Sequence, residues 1–197
     1  ELTSATTVDL QAASGYAERI SREVGHLKAI VNDFLEYARR QRPGAEPVAL
    51  LPLCREAAES AQAGAAVPIA VSGPEAIVDG DPHQLHRAVL NLLRNAVQAV
   101  ADRPTPSVSL TLAEDAAHAI ITVHDNGPGI PEDIRPRIFT PFFTTREQGT
   151  GLGLAFVHEI VRDHGGTVDV TTGPEGTAFT LRLPRAVTKD HGEHPHH

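Results

Sequence analysis

Apolar residues recur over 16–41 in alternating steps of four and three, at Ile20, Val24, Leu27, Val31, Phe34 and Ala38. That spacing is the a/d seam of one long helix, and Glu18, Arg19, Arg22, Glu23, Lys28 and Glu36 fall mostly off it. A helix with a single apolar stripe needs partners to cover it. They come from its own chain or a second copy, the alternative being that the helix docks on the domain behind it. Gly15 is read as a turn before this helix, with a shorter, weaker helix over 3–14. Arg42-Pro43-Gly44 ends it, because proline cannot continue a helix. The expected organisation is therefore a helical region at 1–42, a linker at 43–47, a main domain at 48–186 and a disordered polar tail at 187–197.

Within the main domain the period changes repeatedly. A helix is predicted over 50–63, and short strands over 67–71 and 77–78. Asp81-Pro82 opens a helix running to about Ala101, with Asp as N-cap and proline in the first turn. Residues 108–112 and 119–124 alternate in the period of two around a turn at 114–117. A helix over 154–164 stops at Gly165-Gly166, and strands at 167–171 and 178–183 close around Gly173-Pro174-Glu175-Gly176. The sum is an α/β (α+β) sandwich: a mixed, mostly antiparallel sheet covered by helices, preceded by a coiled-coil-like helix.

Composition narrows the function classes. A net charge of −8 argues against a nucleic-acid surface. The single cysteine, Cys54, excludes an internal disulfide and fits a reducing, cytoplasmic compartment. No apolar run approaches the length of a membrane span, so this stretch makes no membrane contact of its own, although a parent protein can be membrane-anchored. Methionine is absent even at residue 1, as expected of a piece of a longer chain. The tail over 189–197 holds four histidines and reads as a ragged terminus or purification remnant that can bind stray metal.

Three segments carry candidate chemistry. On the helix over 81–101, Leu85, Val89, Leu92, Leu93, Ala96 and Val100 share one face, while Gln84, Asn91, Asn95 and Gln98 lie on another. A polar face is commonly just solvated, yet asparagine is a poor helix former, and two of them at i, i+4 suggest a site requirement. An amide oxygen is a suitable Mg²⁺ ligand where phosphates already supply the negative charge. His124-Asp125-Asn126-Gly127-Pro128-Gly129-Ile130 follows an apolar strand. It is either an ordinary turn or a site in which the Asp125 carboxylate, an acceptor only, takes the exocyclic amine of adenine. The glycines then let the backbone approach the base. Gln148-Gly149-Thr150-Gly151-Leu152-Gly153 opens a helix, and its backbone N–H groups with the helix N-terminus form an anion cradle. It is neither a Walker loop nor a dinucleotide fingerprint. Between these segments, Phe142 and Phe143 are expected to anchor a lid, with Arg146 either an ordinary surface charge or a guanidinium within reach of terminal phosphates.

Taken together and in order, residues 91–95, 125–129, 139–143 and 149–153 resemble the N, G1, F and G2 boxes of sensor histidine kinases. The resemblance covers 48–184, the Bergerat-type catalytic domain of the gyrase, heat-shock chaperone, histidine kinase and mismatch-repair superfamily. Thr144-Thr145-Arg146-Glu147-Gln148 is similar to the short lid of the nitrogen-regulation subgroup. The resemblance implies ATP and Mg²⁺ as cofactors, Asn95 as metal ligand, and Asn91 and Arg146 facing the phosphates. It implies Asp125, Gly127, Gly129, Ile130, Phe143 and Thr177 around the base, and Thr150, Gly151, Leu152 and Gly153 around the phosphates. It also implies a homodimer through helix 16–41 and a response regulator receiver domain as partner. The acceptor histidine of the family's first hairpin helix has no counterpart here, so this chain is not expected to phosphorylate itself alone. An ATP-binding regulatory module or an ATPase of the same superfamily is the alternative; against the latter, Asn91 stands where a water-activating glutamate would be expected.

Overall fold

The computed structural model describes residues 13–17, 19–21, 24, 25, 27, 31, 44, 46–63, 67–146 and 149–186. The described positions before residue 32 are helical throughout. Gly15 lies inside this helix rather than at a turn: a glycine within a helix costs only about 1 kcal/mol relative to alanine, less than breaking the stripe beside it. Tyr16, Ile20, Val24, Leu27 and Val31 stay between 53% and 66% exposed, so the apolar seam is uncovered within one chain. Phe34, Ala38 and the 187–197 tail lie outside the described residues.

Among the described residues the main domain has seven strands, three α-helices and a 3-10 turn at Arg135–Arg137. In chain order the strands and α-helices are β1 (Glu46–Ala49), α1 (Leu50–Gln62), β2 (Ile69–Ser72), β3 (Ile77–Gly80), α2 (Pro82–Ala99), β4 (Val108–Glu114), β5 (His118–Asp125), α3 (Gly153–Asp163), β6 (Thr167–Gly173) and β7 (Gly176–Pro184). Five strands form the main sheet in the order β2-β4-β5-β7-β6, parallel only between β2 and β4. β1 and β3 make a separate antiparallel pair, tied to the end of β7 through a Val78–Arg185 bridge. β1 straddles the expected boundary, with Glu46 and Pro47 in the stretch read as a linker and Val48 and Ala49 in the main domain. Four residues containing Pro47 give no readable alternation, yet Val48 is buried and sets the strand against β3.

Each element buries the face its pattern specified. The predicted apolar face of α2, from Leu85 to Val100, is entirely buried, and α2 packs on α1, α3 and β5. Along β5, Ala119, Ile121 and Val123 point into the same core, alternating with less buried neighbours. Cys54 on α1 is buried, and that burial, followed by the nearby Glu75 carboxylate, pushes its thiol up to about 12. It is a packing residue with no thiolate at neutral pH.

One polar tie joins the start of α2 to the end of α3. The Asp81 N–H donates to His164 Nε2 at 3.0 Å, while His164 Nδ1 lies 2.7 Å from Ile160 O. An acceptor at Nε2 fixes the imidazole as neutral, with its proton on Nδ1. The Asp81 carboxylate meanwhile caps α2 by accepting from His83 N and Gln84 N. His164→Ala strands the Asp81 N–H and should lower stability by about 1–3 kcal/mol. Urea denaturation checks this, and an unchanged midpoint contradicts the tie.

Candidate nucleotide site

The cavity of about 500 Å³ opens between α2, the end of β5, the 128–146 segment and the start of α3. α2 contributes Asn91, Arg94, Asn95, Gln98 and Ala99 to its wall, so the polar face read from the sequence is cavity lining over its second half. Gln84, one turn earlier, belongs instead to the helix cap and bonds Asp81. The Arg146 guanidinium reaches across the cavity: Nη1 donates to Asn95 Oδ1 at 3.3 Å and also to Gln98 Oε1. Burial of this head pulls the guanidinium below its ordinary value, and the Asp125 carboxylate pushes it back up.

Asp125 ends β5 at a position where the strand's alternation calls for an apolar residue, and it is only 3% exposed. Its Oδ1 accepts the Gly127 N–H at 2.8 Å, and it stands opposite Thr177 in the β5–β7 ladder. Burial raises its pKa above the ordinary carboxylate range; the Gly127 and Thr177 N–H groups, then His124 and Arg103, act in the opposite direction. Thr177 is buried too, its hydroxyl 3.1 Å from that of Thr172, whose own Oγ1 accepts the Ile130 N–H at 2.8 Å. Asp125 and Thr177 both line the cavity at this end.

The two glycines of this turn are required by the protein's own packing. A Cβ on Gly127 would lie 2.7 Å from Asp125 Oδ1, and one on Gly129 would lie 2.0 Å from Gly173 O. Gly129 also has φ +79°, a conformation that costs a side chain energy. Gly129 and Ile130 line the cavity, whereas Gly127 does not.

At the opposite end, Gly149, Thr150, Gly151 and Gly153 line the cavity, and Gly153 begins α3 beside Asn91. The first intrahelical bond of α3 is Phe156 N to Leu152 O, so the preceding N–H groups of the first turn have no intrahelical acceptor. The Leu152 side chain is fully buried in the core and anchors the loop, and its N–H goes to Thr150 Oγ1 at 3.3 Å. The phenylalanine pair also divides. Phe143 is half-buried under the Arg137 guanidinium and lines the cavity, but Phe142 is 57% exposed. Phe142 has φ +65°, and its backbone packs so closely on Gly151 that a Cβ there would lie 2.5 Å from its carbonyl carbon. That backbone direction turns the ring outward.

The cavity therefore brings together Asn91, Asn95, Asp125, Arg146, Thr150 and Thr177 from segments far apart in sequence. Sequence reasoning missed Arg94, although its place between the two asparagines on the same face could have signalled it. It also missed Thr172 and Arg103, which act behind the wall and carry no spacing signal.

An open α/β sandwich with a carboxylate at one end of a cavity and a glycine-rich helix start at the other defines a nucleotide-site class of domain. Residues 80–187 match the family described as histidine kinase-, DNA gyrase B- and HSP90-like ATPase. The sensor histidine kinase ZraS of Escherichia coli strain K12 is 36% identical over 79% of this chain and 34% of its own length. Among solved structures, the mycobacterial sensor histidine kinase MprB is 34% identical with a TM-score of 0.66, the match covering 72% of this chain and 97% of that one. Full-length ShkA in complex with AMPPNP is 30% identical with a TM-score of 0.76, over 89% and 39% of the two chains. The chain belongs to the histidine kinase-, DNA gyrase B- and HSP90-like ATPase family, as a catalytic ATP-binding domain of the sensor histidine kinases. It spans about a quarter to a third of the length of the curated relatives it matches.

A buried carboxylate with a raised pKa makes a prediction with a definite sign. The neutral form is favoured on folding, so stability linked to it is present below the unfolded value and lost as pH rises through the elevated one. Asp125→Asn, neutral at every pH, should therefore melt at or above the wild-type temperature at neutral pH, with the difference vanishing in acid. Thermal denaturation across pH checks this; a variant less stable than wild type at neutral pH contradicts it.

Proposed function

We propose that this domain binds Mg-ATP in the cavity and transfers the γ-phosphoryl group to a histidine on a dimerisation helix, for relay to a response regulator receiver domain. The single observation that carries the reading is the polarity of the cavity. A buried carboxylate sits at one end, and amide oxygens, a guanidinium and a helix N-terminus sit at the other. Adenine is the base whose exocyclic amine can donate to Asp125, while the O6 of guanine would be repelled. Ile130, Phe143 and Thr177 are the base's other neighbours, with Gly129 beneath it. Phosphates are taken by the 149–153 backbone and the start of α3.

Asn95 is the residue for Mg²⁺. Its Oδ1 already faces a cation, the Arg146 guanidinium, and is a hard neutral donor suited to magnesium once phosphate oxygens complete the shell. Among the described residues no cluster of three histidines, cysteines or carboxylates is present. Mg²⁺ bound there neutralises phosphate charge. The chain's own part is positioning: Asn91 and Asn95 are fixed one turn apart on a helix whose other face is fully buried, and Arg146 is a counter-charge held against Asn95. Gly127 and Leu152 contribute by shaping the two loops, with Leu152 adding its backbone to the phosphate cradle.

The exposed seam of Ile20, Val24, Leu27 and Val31 supports a homodimer through helix 16–41, and the same bundle would present the acceptor histidine. Among the described residues no helix is long and apolar enough to cross a membrane. The cytoplasm, where ATP is held, is the proposed compartment.

Asn95→Ala should bind Mg-ATP at least tenfold more weakly while keeping its melting temperature; wild-type affinity in that variant would refute the metal role. Turnover is tested by incubating the chain with labelled ATP, alone and with a helical bundle that carries an acceptor histidine. Acid-labile, base-stable phosphate is expected on the added bundle only. No phosphohistidine in either mixture, with ATP bound normally, would favour a regulatory ATP-binding module.

A further inference from the structure

The turn that follows α2 reaches behind the adenine end of the cavity. The Arg103 N–H donates to Val100 O at 2.9 Å, extending the helix end by one turn. Its Nη2 donates to Gly127 O at 2.6 Å and to Pro174 O at 3.3 Å. These two carbonyls belong to the 125–130 turn and to the tip of the β6–β7 hairpin, the segments that flank Asp125. Arg103 does not line the cavity.

The same turn grips the Asp125 segment a second time. Asn126 Oδ1 accepts from Ser107 N at 2.9 Å, Asn126 Nδ2 donates to Thr105 O at 2.8 Å, and the Asn126 N–H donates to Ser107 O at 3.2 Å. These bonds suffice to hold the strand end, so they leave unexplained why a cation stands beside them. The cation is held at a cost, because Arg103 Nε is buried without a hydrogen-bond partner. A structural spacer gains nothing from a partly desolvated charge; a neighbouring buried carboxylate does. Arg103 is among the groups that stabilise ionised Asp125, together with the Gly127 and Thr177 N–H groups and His124 beside it on β5. Arg146 faces Asp125 from the 128–146 segment.

We propose that Arg103 is a positioning residue for nucleotide selection: it ties the end of α2, the 125–130 turn and the β6–β7 hairpin into one unit and keeps the Asp125 carboxylate aimed as an acceptor without touching the nucleotide. Because α2 also carries Asn91 and Asn95, the clamp fixes the base-reading end relative to the phosphate end. The proposal rests on the reading of Asp125 as the adenine acceptor.

The test compares wild-type chain with Arg103→Ala, Arg103→Gln and Asp125→Asn, titrated calorimetrically with ATP and with GTP across a pH series. Arg103→Ala should bind ATP roughly tenfold more weakly, lose part of its preference for ATP over GTP, and lose ATP binding at a higher pH on the acid side. Arg103→Gln keeps a donor for Gly127 O without the charge; its melting temperature should match wild type, while the acid limb still moves to higher pH. The inference is overturned if both Arg103 variants keep wild-type selectivity and pH profile. It is equally overturned if they weaken ATP and GTP equally with the pH profile unmoved, which marks a structural role only. Wild-type ATP affinity in Asp125→Asn would sink the adenine reading and this inference with it. A weakened Asp125→Asn beside wild-type Arg103 variants sinks the inference alone.

Discussion

A carboxylate buried at the end of β5 is the constraint around which the domain is organised. Asp125 occupies the register that Ala119, Ile121 and Val123 fill with apolar side chains, and it is nearly as buried as they are. A charge there is tolerated only if donors surround it. The structure supplies two, its own turn through the Gly127 N–H and the neighbouring strand through the Thr177 N–H, and adds the positive charge of Arg103 from the α2–β4 turn without a direct bond. The glycines at 127 and 129 follow from the same requirement, because the turn must fold back on Asp125 and on the hairpin without room for a Cβ.

α2 links that end of the cavity to the other. Its apolar face is fixed in the core between α1, α3 and the sheet, so the opposite face has little freedom. Asn91 and Asn95 inherit that rigidity, and the terminal turn of the helix delivers Arg103. Loop residues carry the other half of the site. Arg146 rests on Asn95 and Gln98, and Phe142 is held with its ring outward by a left-handed backbone.

Much of this was legible in the residues. The 3.6-residue period of α2 and the Asp81-Pro82 start located the helix within two residues at either end, and the two asparagines at i, i+4 marked the face that lines the cavity. The sheet strands and the hairpin turn were equally plain, because alternation and glycine punctuation are local signals. What stayed hidden depends on tertiary contact. The first half of β1 looks like a linker because its pairing partner is distant in sequence. The anchoring of the Leu152 side chain in the core, and the crowding of Gly127 by Ala99 and Asp125, leave no local trace in the sequence. Arg103 carried no signal at all, since its meaning lies in two carbonyls that only folding brings near.

The central claim, that the buried Asp125 acceptor selects the base through its exocyclic amine, has a direct test in the wild-type chain. Its affinity for ATP is compared by calorimetry with that for the triphosphate of purine riboside, which lacks that amine and keeps everything else. At neutral pH the account predicts binding weaker by an order of magnitude or more for the analogue, the cost of leaving a buried acceptor unpaired. Equal affinity for the two nucleotides would contradict it.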